Sequence, residues 1–258
     1  MPCPLLPTKI VWGLDFYLNR PKNAGFYLYL GKFYDMKRFL TLFFVAILST
    51  SCVFIDVDRS SYIDGSADIY KVIDEIEIDW DYGTVMVRYW DRDYISFYEE
   101  DPNGPIKDCM CYYVRNRQLF LAYSRYNDTY YQPKKLMVFL PKGVIYRDID
   151  IDALDANIDV DADCRKIDID TTSGDVVFST TYRDIEDIDV DTVSGNVRLI
   201  LPIDTSFTCE YDTVRGRLIS QFGLYGNPSD RYYYGGPFYT TKIDVDTRDG
   251  NLELEIYR

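Results

Sequence analysis

IDIDTTSGDVVF (167–178) and IDVDTVSGNVRL (188–199) superimpose without a gap. Each has an apolar residue at every second place, then Thr-x-x-Gly, then a second alternating run. Period-two alternation sends the isoleucines and valines to one side of a strand and the aspartates to the other. The Thr-x-x-Gly stretch turns the chain, and glycine suits a turn that side-chain-bearing residues resist. Four further segments fit the same template: IEIDWDYGTVMV (76–87), IDIDALDANIDV (149–160), CEYDTVRGRLIS (209–220) and IDVDTRDGNLEL (243–254). From Ala156 onward the turn positions fall at Gly174, Gly195, Gly216 and Gly250, at steps of 18, 21, 21 and 34 residues. A period near 20 with alternating apolar residues predicts an all-β fold, a β-solenoid of stacked 18–21-residue units.

Stacking in chain order would make apolar columns. Ile76, Ile149, Ile167, Ile188, Cys209 and Ile243 form one, and Val85, Ile158, Val176, Val197, Leu218 and Leu252 form another beyond the turn. One unit cannot bury these residues alone, whereas each side chain buried between neighbours contributes roughly 1.5–3 kcal/mol. Aspartates would stack on the outside, with Asp150, Asp168 and Asp189 in one column and Asp152, Asp170 and Asp191 in the next. At a strand spacing of about 4.8 Å, neighbouring carboxylates repel by roughly 0.9 kcal/mol even in water. Calcium would offset that repulsion. A solvated face is the plainer reading and the preferred one, because the calcium-binding nonapeptide GGxGxD is absent. No cofactor is expected. Residues 88–146 carry further strand and turn signals, such as CYYVRNRQLFLAY (111–123), and read as β-structure continuous with the units or capping them.

The 258 residues contain no histidine, which excludes Ser-His-Asp and Cys-His catalysis and HExxH zinc sites. The net charge of −14 argues against nucleic acid as a partner. Ahead of the repeats, MKRFLTLFFVAILSTSC (36–52) has a basic start, ten apolar residues from Phe39 to Leu48, small residues and then Cys52. This is the layout of a secretory signal, too short to span a bilayer. Met36 is the expected start, with residues 1–35 an upstream extension of the gene reading, 36–51 the signal, 52–67 a polar tether and 68–258 the solenoid. Six of the 28 basic and two of the 42 acidic side chains precede Cys52, which leaves 22 against 40 after cleavage, a net −18. The segment resembles the lipobox of bacterial lipoproteins, with its leucine one place further from the cysteine than usual. That resemblance implies lipidation of Cys52, a membrane contact through the lipid anchor only, and a place in the cell envelope as an outer membrane lipoprotein. Cys109, Cys111, Cys164 and Cys209 remain, with three pairings open to four cysteines and no CxxC spacing for a metal.

Thr171–Val176, Thr192–Val197 and Thr247–Leu252, with the lead-in LMVFLPKG (136–143), resemble the bacterial putative-adhesin family of β-helical repeat domains over roughly residues 70–258. The resemblance implies a right-handed parallel β-helix and a role in cell adhesion, with no catalytic residues to carry over. The insertion GLYGNPSDRYYYGGPFY (223–239) holds Tyr225, Tyr232, Tyr233, Tyr234, Phe238 and Tyr239 among glycines and prolines. As a flexible loop it would offer rings to a glycan or to an envelope or host protein. Otherwise, and this is the preferred reading, it covers an exposed side or end of the stack. A second aromatic stretch, Tyr123–Tyr131, is not placed relative to it by sequence. Three functions follow: a non-enzymatic, lipid-anchored surface-interaction protein, which is the leading reading; a polysaccharide-active enzyme using paired carboxylates; and a cation-stiffened spacer. Uniform acidic columns single out no carboxyl for acid–base work, so an enzyme is not expected.

Overall fold

The computed structural model describes residues 61–100, 109–124, 133–227, 231–236 and 240–258, all within one compact unit, Asp56–Arg258. The signal segment, Cys52, Phe238 and Tyr239 lie outside the described residues. Every regular element is a β-strand except for a single 3-10 position at Ser61, and the strands join in one large mixed sheet that does not close. In chain order they are β1 (Ile63–Asp64), β2 (Ala67–Ile69), β3 (Glu75–Trp90), β4 (Ile95–Glu100), β5 (Cys111–Arg115), β6 (Gln118–Ala122), β7 (Lys134–Pro141), β8 (Tyr146–Asp161) and β9 (Cys164–Ser173). There follow β10 (Val176–Ser179), β11 (Asp187–Ser194), β12 (Val197–Leu201), β13 (Phe207–Thr213), β14 (Leu218–Ser220), β15 (Tyr225–Asn227), β16 (Arg231–Tyr234), β17 (Thr241–Asp249) and β18 (Leu252–Ile256).

The two halves of each repeat enter two different ladders. The first runs β1–β5–β6–β3–β8–β9–β11–β17–β13–β16–β15. The second runs β2–β4–β7–β3–β8–β10–β12–β18–β14. β3 and β8 are long enough to pass through the turn and belong to both. Pairing between repeat units is parallel and in register, so that Ile149 lies between Ile76 and Ile167, and Val197 between Val176 and Leu252. The inward residues of both ladders are almost wholly buried and share one apolar core.

The order of the stack differs from chain order. The last unit, β17 with β18, sits between β11–β12 and β13–β14, so Ile243 separates Ile188 from Cys209. At the other end β6 and β7 form a seventh unit outside β3, so the first unit in the chain is second in space. This unit escapes the sequence template because residues 123–133 stand where its Thr-x-x-Gly turn would be.

Side chains at the turn follow that order. Asp175 N–H donates to Asn157 Oδ1 (3.0 Å), Asn196 N–H to Asp175 Oδ1 (2.8 Å), Asn251 N–H to Asn196 Oδ1 (3.1 Å) and Arg217 N–H to Asn251 Oδ1 (3.0 Å). Each unit passes an acceptor to the next until Arg217, a cation that has none to pass on. The inward positions of that unit are also its least apolar, Cys209, Tyr211 and Ser220, as befits a terminal repeat. The turn glycines serve mainly by close approach rather than by an unusual angle. Gly83 and Gly174 have φ of 113° and 124°, but Gly195, Gly216 and Gly250 do not lie in the left-handed region. A Cβ on Gly195 would lie 1.9 Å from the carbonyl oxygen of Gly174, and one on Gly250 1.7 Å from that of Gly195.

Antiparallel strands cover three of the four ladder ends: β5 and β1 beyond β6, β4 and β2 beyond β7, and β16 and β15 beyond β13. A buried ion pair secures one of these covers. Lys134 Nζ lies 3.4 Å from Glu99 Oε2 and 4.1 Å from the ring centre of Tyr123, while Met110 N–H donates to the same Glu99 oxygen at 2.9 Å. Among the described residues no helix is long and apolar enough to cross a membrane.

Candidate functional site

The outward face of the first ladder carries the acidic columns in the expected register. Glu77, Asp150, Asp168, Asp189, Asp244 and Glu210 stand side by side, as do Asp79, Asp152, Asp170, Asp191, Asp246 and Asp212. Among the described residues none of the six carboxylates Asp150, Asp152, Asp168, Asp170, Asp189 and Asp191 forms a hydrogen bond or an ion pair. The turns are stitched by the asparagine and aspartate after the glycine, a role that the sequence reading did not assign. Partial burial and neighbouring charge leave their mark on the columns. Partial burial, then repulsion by Asp152 and Asp168, pushes Asp150 up to about 7. Partial burial, then Asp246 and Asp170, pushes Asp191 up to about 7, and the same causes bring Asp168 and Asp246 to about 6. A carboxyl poised near neutrality can serve acid–base chemistry, but here the shift recurs along the column and marks no position apart. No group of three acidic or cysteine side chains among the described residues converges on a point that could hold a metal ion.

The tyrosine-rich insertion is a β-hairpin, β15–β16, laid antiparallel on β13. Strand alternation splits its rings. Tyr232 and Tyr234 pack against the core. The Tyr234 ring lies 4.7 Å from Phe222 and 5.4 Å from Phe207, and its hydroxyl donates to Ile203 O at 3.0 Å. Tyr225 and Tyr233 stack on each other on the opposite side, centroids 5.7 Å apart, and Tyr225 is 51% exposed. The described part of the hairpin therefore both covers the end of the stack and presents an outward pair of rings. The Tyr123 stretch lies elsewhere. Tyr123 is buried against Trp80 at 5.2 Å, at the β6 end of the first ladder, six strand steps or about 29 Å from β13.

A second aromatic group, unmarked by the sequence reading, lies at that same end. Tyr70, Tyr94, Trp90, Phe139 and Tyr98 follow one another at centroid distances of 4.6, 4.8, 5.3 and 6.0 Å, and the Arg92 guanidinium lies over Trp90 and Tyr94. The signal was the outward parity of Trp90, Tyr98 and Phe139 on three strands. It becomes visible only once β7 is known to lie between β3 and β4.

Cysteine pairing is constrained by the ladder. Cys164 on β9 and Cys209 on β13 are buried thiols three strand steps apart, about 14 Å, twice the reach of a disulfide.

No protein-family model matches the chain, and no curated protein matches it. Among solved structures, a putative adhesin from Bacteroides fragilis aligns over 75% of this chain and 96% of its own at 15% identity, with a TM-score of 0.31, too low to bear on the fold. A putative cell adhesion protein from Clostridium sporogenes aligns over 74% of this chain and 100% of its own at 9% identity, and its TM-score of 0.57 marks a similar fold.

Proposed function

We propose that this chain is a non-enzymatic, lipid-anchored protein of the cell envelope whose repeat units are coils of a right-handed β-solenoid and whose exposed surface serves adhesion. The likeness of fold to the Clostridium sporogenes protein, over the whole of that chain, is the observation that carries the reading. In-register parallel pairing in both ladders supports the coils, and the hand is the one parallel crossovers adopt. The layout of residues 36–52 supports the anchor at Cys52, and the uniformity of the carboxylate columns supports the absence of catalysis and of a resident cofactor. Tyr225 and Tyr233 are the rings placed to meet a glycan or protein partner.

Protease shaving of intact cells, followed by binding of the purified chain to arrays of glycans and envelope or host proteins, tests this reading. Surface digestion and a ligand whose affinity falls at least tenfold on Tyr225→Ser/Tyr233→Ser, at unchanged melting temperature, are the expected results. Protection until the outer membrane is opened would refute adhesion. Unchanged affinity in the double variant would refute the assignment of the rings.

A further inference from the structure

We propose that the end of the domain where the described chain begins rests on the phospholipid headgroup layer, through Tyr70, Lys71, Val72, Trp90, Arg92 and Tyr94. The inference rests on the reading of Cys52 as a lipid anchor. β1 and β2 are the outermost strands of the two ladders at this end. Immediately after β2, Tyr70 and Val72 are 74% and 68% exposed, with Lys71 exposed between them. The Tyr70 ring meets Tyr94 at 4.6 Å, Tyr94 meets Trp90 at 4.8 Å, and Arg92 lies over both of the latter at 5.8 and 5.2 Å. These residues thus form one contiguous patch.

Two observations choose the occupant. The first is reach. Residues 53–60 lie between Cys52 and the first described residue and span at most about 30 Å when fully extended. A bilayer holding Cys52 is therefore within reach of this end and farther from the hairpin end. The second is chemistry. At this edge of the second ladder Lys71 and Arg92 alternate with Asp68, Asp91 and Asp93, all exposed. A mixed-charge patch around tryptophan and tyrosine complements a zwitterionic headgroup: cations take the phosphate, carboxylates and ring faces take the ammonium. Tryptophan and tyrosine settle at that depth because one end of each ring system is apolar and the other wet.

The test uses the full chain, extracted with its anchor and reconstituted into phosphatidylethanolamine–phosphatidylcholine vesicles carrying a nitroxide at the headgroup. Trp90 emission is read as the difference from a Trp90→Phe variant, which removes the background of every other tryptophan. Loss of most Trp90 emission, restored by Tyr70→Ser/Val72→Ser, is the expected result. Full emission from protein whose Cys52 is acylated by mass spectrometry overturns the proposal. Where Cys52 proves unmodified the anchor reading fails, and adding the chain to the same vesicles decides the docking, quenching upholding it and its absence overturning it. A benzophenone amino acid at position 70 in growing cells gives a second measurement. A phospholipid adduct supports the assignment, and a protein adduct alone transfers the patch to another partner and overturns it.

Discussion

Single positions at the turn decide whether two coils can approach. Gly195 has an ordinary backbone angle, yet its missing side chain lets the Gly174 carbonyl come where a Cβ would stand. Gly195→Ala must push the two turns apart, and overpacking of this kind costs about 1–3 kcal/mol. The urea midpoint should fall accordingly, and an unchanged midpoint would show that the two turns can separate without cost. Asn196 accepts the Asn251 N–H and donates its own N–H to Asp175. Asn196→Ala removes an acceptor for Asn251 and a donor to Asp175 from an exposed turn, so about 1 kcal/mol is expected, and Asn196→Asp recovers little of it because its carboxylate faces that of Asp175. The alternating apolar residues and the acidic columns were legible in the sequence because strand parity is a local property. The reason for the glycine was only half legible, since close approach depends on a neighbour 21 or 55 residues away.

Elements explain what the repeat pattern concealed. Six units align in the sequence, but alignment carries no information about which unit touches which. The β13–β14 unit that lies outside β17–β18 carries Arg217 and Ser220, residues that look like mere lapses from the template. The β13–β14 unit meets no other repeat unit than β17–β18, so its order depends on the last strands of the chain. A chain ending at residue 240 should therefore lose hydrogen-exchange protection at Phe207–Ser220 while β8, β9 and β11 keep theirs. Retained protection of β13 would mean that it docks directly on β11. The same ladder spacing keeps Cys164 and Cys209 apart. Both should take up an alkylating label after unfolding without reductant, even in protein from an oxidising compartment, and disulfide-linked peptides between them would contradict the strand order. The tyrosine hairpin was legible as aromatic and exposed but not as a strand pair, because glycine and proline hide a β-pattern only four residues long.

For the whole molecule the decisive quantity is charge, net −14 with two continuous columns of carboxylates on one face. Parallel in-register coils impose this crowding, since the alternation that buries isoleucine at one position stacks aspartate at the next. Asp150 and Asp191 at about 7, and Asp168 and Asp246 at about 6, bind protons more tightly folded than unfolded, where the ordinary value is 3.8. By linkage, stability then rises as pH falls from about 7.5 through these values and levels off near the unfolded value. This is the opposite of the usual acid destabilisation, which here is confined to lower pH. Asp249, held at about 2 by Arg215 and Arg248, loses its stabilising pairs only as pH falls below the ordinary carboxylate range. The outer oxygens of the columns meet water, so each carboxyl contributes only a fraction of what a buried one would. The urea midpoint should be higher at pH 5.5 than at pH 7.5. Raising the ionic strength from about 0.01 to 0.5 M should stabilise the protein at pH 7.5 and do little at pH 5.5, because screening and protonation relieve the same repulsion. Asp150→Asn and Asp191→Asn should each raise the midpoint at pH 7.5, raise it less at pH 5.5, and leave it unchanged only near the unfolded value of 3.8. A midpoint that falls between pH 7.5 and 5.5, or that ignores salt at the higher pH, would mean that counter-ions already neutralise the columns.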